Sequence, residues 1–254
     1  TVSRSSGVKT FNGGTIVLAN GIDLGGYAWT PISMSTDLGN GKTFRGTFDG
    51  QGHTITGLYV KENAVAGLFG YIYAATIKNV TIEGANLNSN HFAGGIVAWV
   101  LNNKGNIQVP FVMENCHVKN STITSTPELV NGEWDNGDKV GGLVGYVKFD
   151  NEGAVIKDCS VENTSVKAYR DFGGLAGYAQ GVVLENTTVN NITLEQDLTH
   201  DYKAPNTPTT FGLLIGNNAG GNTVDGTAYT YEAVADGVYL LNGNYHIYNA
   251  AGLQ

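Results

Sequence analysis

The stretch Ile77-Lys-Asn-Val-Thr-Ile-Glu-Gly-Ala-Asn-Leu87 aligns without a gap with residues 113–123 (MENCHVKNSTI), 156–166 (IKDCSVENTSV) and 184–194 (LENTTVNNITL). Four columns of this alignment are apolar or small: Ile77/Met113/Ile156/Leu184, Val80/Cys116/Cys159/Thr187, Ile82/Val118/Val161/Val189 and Leu87/Ile123/Val166/Leu194. The column at Asn79 continues as Asn115, Asp158 and Asn186, and that at Gly84 as Asn120, Asn163 and Asn191. Asn, Asp and Gly tolerate left-handed backbone angles, so their recurrence at fixed offsets marks two corners per unit. Stacked Asn amides can also bond to one another along a ladder.

A glycine-bounded apolar unit precedes each stretch: Gly67-Leu-Phe-Gly70, Gly95-Ile-Val-Ala98, Gly142-Leu-Val-Gly145 and Gly174-Leu-Ala-Gly177. Leu213-Leu-Ile-Gly216 is a fifth, with a degenerate follower. Self-similarity at this spacing means stacked units, each burying its apolar face on the next. The shortest interval, from Gly67 to Gly95, suffices for one coil of about three short strands. Surplus residues fall at 102–111, 125–139 and 195–210, which are rich in Asn, Asp, Pro and Thr, as loops inserted at corners are. Short alternating pieces bounded by Gly, Asn or Asp read as strands, and no segment holds a helical period with caps. The expected class is all-β, a solenoid of parallel ladders in which Val80, Cys116, Cys159 and Thr187 share one column.

Glycine is abundant at 36 residues, proline is scarce at 5, and only 14% of residues are charged. Such a balance fits tight turns between short strands better than a disordered linker. The net charge of −8 argues against nucleic acid or an anionic membrane as the main partner, since both call for a basic surface. No apolar run reaches the roughly 18 residues of a membrane span. The chain opens at Thr1 without Met, which reads as a processed or truncated fragment. Cys116 and Cys159 are read as reduced residues of an inward ladder; the alternatives are a disulfide and, without a histidine at matching spacing, a metal pair.

The pattern Gly-Leu-x-Gly followed by Ile-x-Asn, two alternating apolar positions and Gly or Asn resembles the GLUG-motif repeats of bacterial cell-surface proteins. Residues 44–58 (FRGTFDGQGHTITGL) look like the first coil before such repeats, with Ile22-Asp23-Leu24 and Trp29-Thr-Pro-Ile32 as its lead-in. The resemblance covers residues 15–216. It implies a right-handed parallel β-helix, secreted or surface-anchored, of the kind found in adhesins of gut Bacteroidetes, and it carries no catalytic set. On that reading residues 1–64 form the lead-in and first coil, and 65–216 the repeat coils. Residues 217–254 form a C-terminal cap or the start of a further unit. The whole makes about five to six coils with inserted corner loops. Ala98 departs from the pattern in place of the second glycine, suggesting a roomier turn. Residues 245–254 resemble the opening that in similar proteins precedes a segment such as residues 1–24, so the parent either repeats this domain in tandem or uses the stretch as a cap.

Parallel β-helices also host polysaccharide lyases and hydrolases, and the galacturonan hydrolases carry Asn-Thr-Asp, Asp-Asp, Gly-His-Gly and Arg-Ile-Lys signatures. None occurs here. For the pair of acids that glycoside hydrolysis needs, only Asp49, near Arg45 and His53, suggests a local cluster, and Asp49-Gly50 is read as a corner turn. Glu133, Asp135 and Asp138 could supply hard oxygens to calcium, although the twelve-residue EF-hand pattern is absent, and the other reading is a solvated acidic loop. Asn-x-Ser/Thr sequons at Asn79, Asn120, Asn163, Asn186 and Asn191 follow from the corner chemistry. The informative anomaly is aromatic: Tyr71, Trp99, Tyr146 and Tyr178 share one position after the glycine-bounded unit. If Leu68, Ile96, Leu143 and Leu175 point inward, strand alternation sends Phe69/Tyr71, Val97/Trp99, Val144/Tyr146 and Ala176/Tyr178 outward. That ridge is then either covered by the inserted loops or exposed as a binding surface for a glycan or protein of a host or bacterial surface. The sequence thus points to an extracellular module for adhesion, binding or spacing, without catalysis and without a cofactor; a carbohydrate-active enzyme on the same solenoid is the rival.

Overall fold

Residues 77–87 and their three counterparts lie on one another in the register of the sequence alignment. A computed structural model describes residues 13–34, 36, 43–102, 110–130, 133–135, 137–150, 153–197, 199, 210–235, 238–241 and 244–247, with no helix among them. A first ladder runs Gly14–Val17, Gly46–Thr56, Thr76–Glu83, Phe111–Lys119, Ala154–Lys157, Val182–Glu185 and Thr223–Val224, every neighbour parallel. The second contains Tyr59–Ala66, Asn86–Gly94, Thr122–Ser125, Ser165–Ala168 and Thr193–Gln196, with Asp138–Gly141, Arg170–Gly173 and Phe211–Gly212 continuing it past a kink. Phe69–Ile72, Val97–Val100, Val144–Lys148, Ala176–Gln180 and Ile215–Asn218 form the third. The chain visits the three in the same order on each pass and returns one step along, which is compatible with the expected solenoid.

The four apolar columns form the core. Ile77 lies opposite Met113, Met113 opposite Ile156 and Ile156 opposite Leu184, all almost wholly buried. Val80 lies opposite Cys116, and the pairing of His117 with Ser160 and of Ser160 with Thr188 carries that column on through Cys159 to Thr187. Each such aliphatic side chain removed from water contributes roughly 1.5–3 kcal/mol before entropy is counted. At the corners, Asn79, Asn115, Asp158 and Asn186 have φ between 45° and 55°, and Asn120, Asn163 and Asn191 between 48° and 50°. Asn191 Nδ2 donates to Asn163 Oδ1 at 2.7 Å and Asn163 Nδ2 to Asn120 Oδ1 at 3.3 Å, so the amides climb the stack as a ladder of their own. Asp49 belongs to this system: its Oδ1 accepts from Gln51 N (2.9 Å) and Asn79 Nδ2 (3.0 Å), and Lys78 lies 3.2 Å from Oδ2. Charges alternate along its outer column, Asp49 facing Lys78, Lys78 facing Glu114, Glu114 facing Lys157 and Lys157 facing Glu185.

Both cysteines are free and buried, and the Cys159 sulfur lies 3.4 Å from Cys116 N. Burial holds the Cys116 thiol well above its usual range, with the neighbouring Cys159 adding to the effect. A thiol reagent is therefore expected to react with neither cysteine in native protein and with both after denaturation without reductant. Recovery of no thiol after denaturation would mean a disulfide instead.

Three features differ from the sequence expectation. Phe69, Val97, Val144 and Ala176 are not on the outer surface; they are 0–1% exposed and belong to the main core. The chain bends at the preceding residues, so Leu68 and Phe69 both turn inward. Ile72, Val100, Val147 and Ala179 are core again three residues after Phe69, Val97, Val144 and Ala176, so a period of two does not hold along these strands. Part of the 125–139 insertion is a hairpin, Glu128–Val130 antiparallel to Glu133–Asp135, and not an irregular loop. At the C-terminal end, Thr223–Val224 turns back antiparallel on Thr227–Ala228. Beyond it, Tyr231–Ala235, Val238–Leu241 and Asn244–Ile247 make a three-stranded antiparallel sheet.

Candidate functional site

Tyr71 pairs with Trp99, Trp99 with Tyr146, Tyr146 with Tyr178 and Tyr178 with Asn217 on the third ladder. Successive ring centroids are 5.7, 5.2 and 4.7 Å apart. All four side chains are half-buried, and the residue that follows each, Ile72, Val100, Val147 or Ala179, is in the core. The residue before each ring explains the placement. A Cβ at Gly145 would lie 2.5 Å from Ala98 O and 2.7 Å from Lys139 O, because the second ladder presses against the third at this point. Where alanine replaces glycine, Ala98 is wholly buried in a small separate cluster with Val65 and Phe92, against which Tyr71, Trp99 and Tyr146 pack.

A second wall faces this row. Val65 pairs with Phe92; Lys139, Asp171 and Thr210 follow, each one residue before the paired Val140, Phe172 and Phe211. Phe92 touches Trp99 (4.6 Å between centroids) and Tyr146 (5.7 Å), stacks on His91 (3.6 Å) and sits under the Lys139 ammonium (5.5 Å). Below it, Asp138 is 1% exposed and is held by Lys139, by Arg170 Nε at 3.2 Å and by His91 Nε2 at 3.2 Å. Asp171 accepts from Thr210 Oγ1 and from Asn217 Nδ2 at 3.1 Å, which ties the two walls together at one end.

Burial pushes the Asp138 carboxyl up, but the hydrogen bond from His91 and the charge of Lys139 outweigh it and hold its pKa at about 2. Asp49 is also at about 2, through its hydrogen bonds from Asn79 and Gln51 against the opposing burial. Burial raises Tyr71, and it pushes Tyr146 up to about 12 with help from Tyr178; Tyr178 is raised by burial and by Asp171. Both aspartates are more acidic folded than unfolded. Their contribution is complete above about pH 4 and is lost as pH falls toward about 2, with Asp138 worth about 2 kcal/mol. Melting temperature is expected to fall steeply across that window. Asp138→Asn should be less stable at pH 7 and should flatten the acid limb; an unchanged acid limb would count against this role.

Tyr71, Trp99, Tyr146 and Tyr178 are thus brought together, whereas the acidic trio is not seen as a set. Asp138 is occupied by cationic side chains, and the side chains of Glu133 and Asp135 lie outside the described residues. No group of three or more His, Cys, Asp or Glu placed to hold a metal occurs among the described residues. Phe92, Lys139 and Asp171 escape a sequence reading because their column shares no chemistry from unit to unit, and Asn217 because it stands where the column of rings ends. An open depression of about 680 Å³ lined by Phe149, Asp150, Gln180 and Gly221 lies at a different corner and includes no residue of the row.

No helix among the described residues is long and apolar enough to cross a membrane. No protein-family model matches the chain. Halomucin of Haloquadratum walsbyi is 35% identical over 129 residues, 50% of this chain and 1% of that protein. A crystal structure described as a putative immunoglobulin A1 protease from Bacteroides ovatus shares the fold, with a TM-score of 0.52 and 17% identity over 83% of this chain and 66% of that one. The chain is therefore similar to parts of larger proteins: about a hundredth of the first and just under two thirds of the second.

Proposed function

We propose that this chain is an extracellular, non-catalytic binding module of a surface protein, built as a right-handed parallel β-helix of about five to six GLUG-type coils. The observation that carries the reading is the row of four half-buried rings on the outer side of the third ladder, backed by Phe92 and bordered by charged and amide groups. Aromatic side chains on a rigid sheet give contact area at low entropic cost, and such partly exposed patches mark interaction sites. The similarity to part of halomucin supports a surface role, and neither cofactor nor metal enters the reading. Adhesion to a glycan or protein of a host or bacterial surface is the function that fits this arrangement. A glycan array run beside immobilised extracellular-matrix proteins tests it. Binding that is lost with changes in the row supports the reading, and failure to bind any member of either set would overturn it.

A further inference from the structure

We infer that the row takes a neutral, extended polysaccharide laid along the stacking direction, one sugar ring per coil; the inference rests on the binding reading above and names its ligand. Three observations carry it. The first is the state of the polar tips. Among the described residues no hydrogen bond engages the hydroxyls of Tyr71, Tyr146 and Tyr178 or Trp99 Nε1, so each coil offers at least one free donor at the surface. The tyrosine rings do not form a flat platform: Tyr146 and Tyr178 lie face to face at 23° and present edges and hydroxyls outward. Trp99 is turned 72° from Tyr146 and so breaks the stack of rings. A sugar has an apolar C–H face for the indole and hydroxyls for the phenols.

The second observation is the period. Parallel strands repeat about every 4.8 Å, whereas an extended peptide brings a side chain back to one face only every ~6.8 Å. Peptide side chains laid along the row would fall out of step within two coils. Stacked nucleotides advance about 3.4 Å and bring phosphate charge, which an acidic protein repels. One pyranose unit in an extended chain advances by about its own ring length, close to one coil step. The third observation is charge. Lys139 and Arg170 are balanced beside the row by Asp138 and Asp171, leaving no net charge to recognise a uronate or an ammonium. The row also has ends. Exposed Met34 lies level with Tyr71 on one side and Asn217 follows Tyr178 on the other, so about four rings fit.

Calorimetric titration with cello-, manno-, xylo- and chito-oligosaccharides of two to six units, and with galacturonate oligomers as charged controls, tests the proposal. In at least one neutral series, affinity is expected to rise with each added unit up to four and then level off. Tyr146→Phe and Tyr178→Phe, which keep the ring packing, should each weaken the tetramer severalfold, and Trp99→Ala by about tenfold or more. Tightening that is absent from every neutral series, that continues unchanged past four units, or that is stronger for galacturonate overturns this inference. If the array of the preceding section still shows a ligand sensitive to the row, the binding reading survives that failure; if nothing binds in either experiment, both fall.

Discussion

Gly142→Ala is expected to lower the melting temperature by more than about 10 °C. A Cβ at position 142 would lie 2.1 Å from the carbonyl oxygen of Gly174 in the next coil and 2.7 Å from Val161 Cγ2. Gly95 and Gly174 are in the same position, 2.4 Å from Gly142 O and 2.1 Å from Leu213 O. The obstacle is backbone, which cannot rotate away as a flexible side chain could, so adjacent coils would have to separate and break the core columns beside them. Overpacking that displaces a coil is expected to cost more than about 4 kcal/mol. Gly84→Ala is the control. There the added methyl meets nothing within 4 Å, and only the left-handed φ of 64° opposes it, at about 1–2 kcal/mol. Melting of Gly142→Ala within a few degrees of the parent would show that the coils are not in this close contact.

Trp99→Ala is expected to destabilise by about 2–3 kcal/mol, below the roughly 3–5 kcal/mol of a fully buried aromatic because the ring is half-exposed. The indole packs on Phe92, Tyr71 and Tyr146, and the alanine would leave the small outer cluster without its largest member. Denaturant melts with an unchanged slope would report the loss directly. A loss under about 0.5 kcal/mol would place the ring in solvent, free of its neighbours. Tyr178→Ala provides a comparison, since that ring lies beyond the reach of Phe92 and should cost less.

The register of the first two ladders is legible in the sequence because one column-by-column alignment places Ile77 on Met113 and Leu87 on Ile123, and the strands pair in that register. The corners are legible for a related reason: a left-handed φ favours Asn, Asp or Gly, so geometry leaves a chemical mark at each pass. Phe69 and Val97 were placed on the wrong side because period two was extended through a bend, where two successive residues can face the core. The wall opposite the aromatic row left no mark. Val65, Phe92, Lys139, Asp171 and Thr210 occupy one column yet share neither size nor polarity, since this outer position is shaped by local partners and not by a repeated core. The hairpin at 128–135 was hidden too, because a single insertion has no second copy to align with.

The alternating charges on the outer face of the first ladder bear on how such a chain avoids folding errors. Because the coils are near-copies, a growing stack could omit one and still match apolar columns to apolar columns. Skipping the Glu114 coil would set Lys78 against Lys157, and skipping the Lys157 coil would set Glu114 against Glu185, each replacing two attractions with one repulsion. Like charges directly opposite in a sheet are unfavourable, so this column acts as a parity check that the interchangeable core cannot supply. Concentrated salt would silence the check and leave the native coils standing, making refolding, and not the folded protein, the process that becomes error-prone.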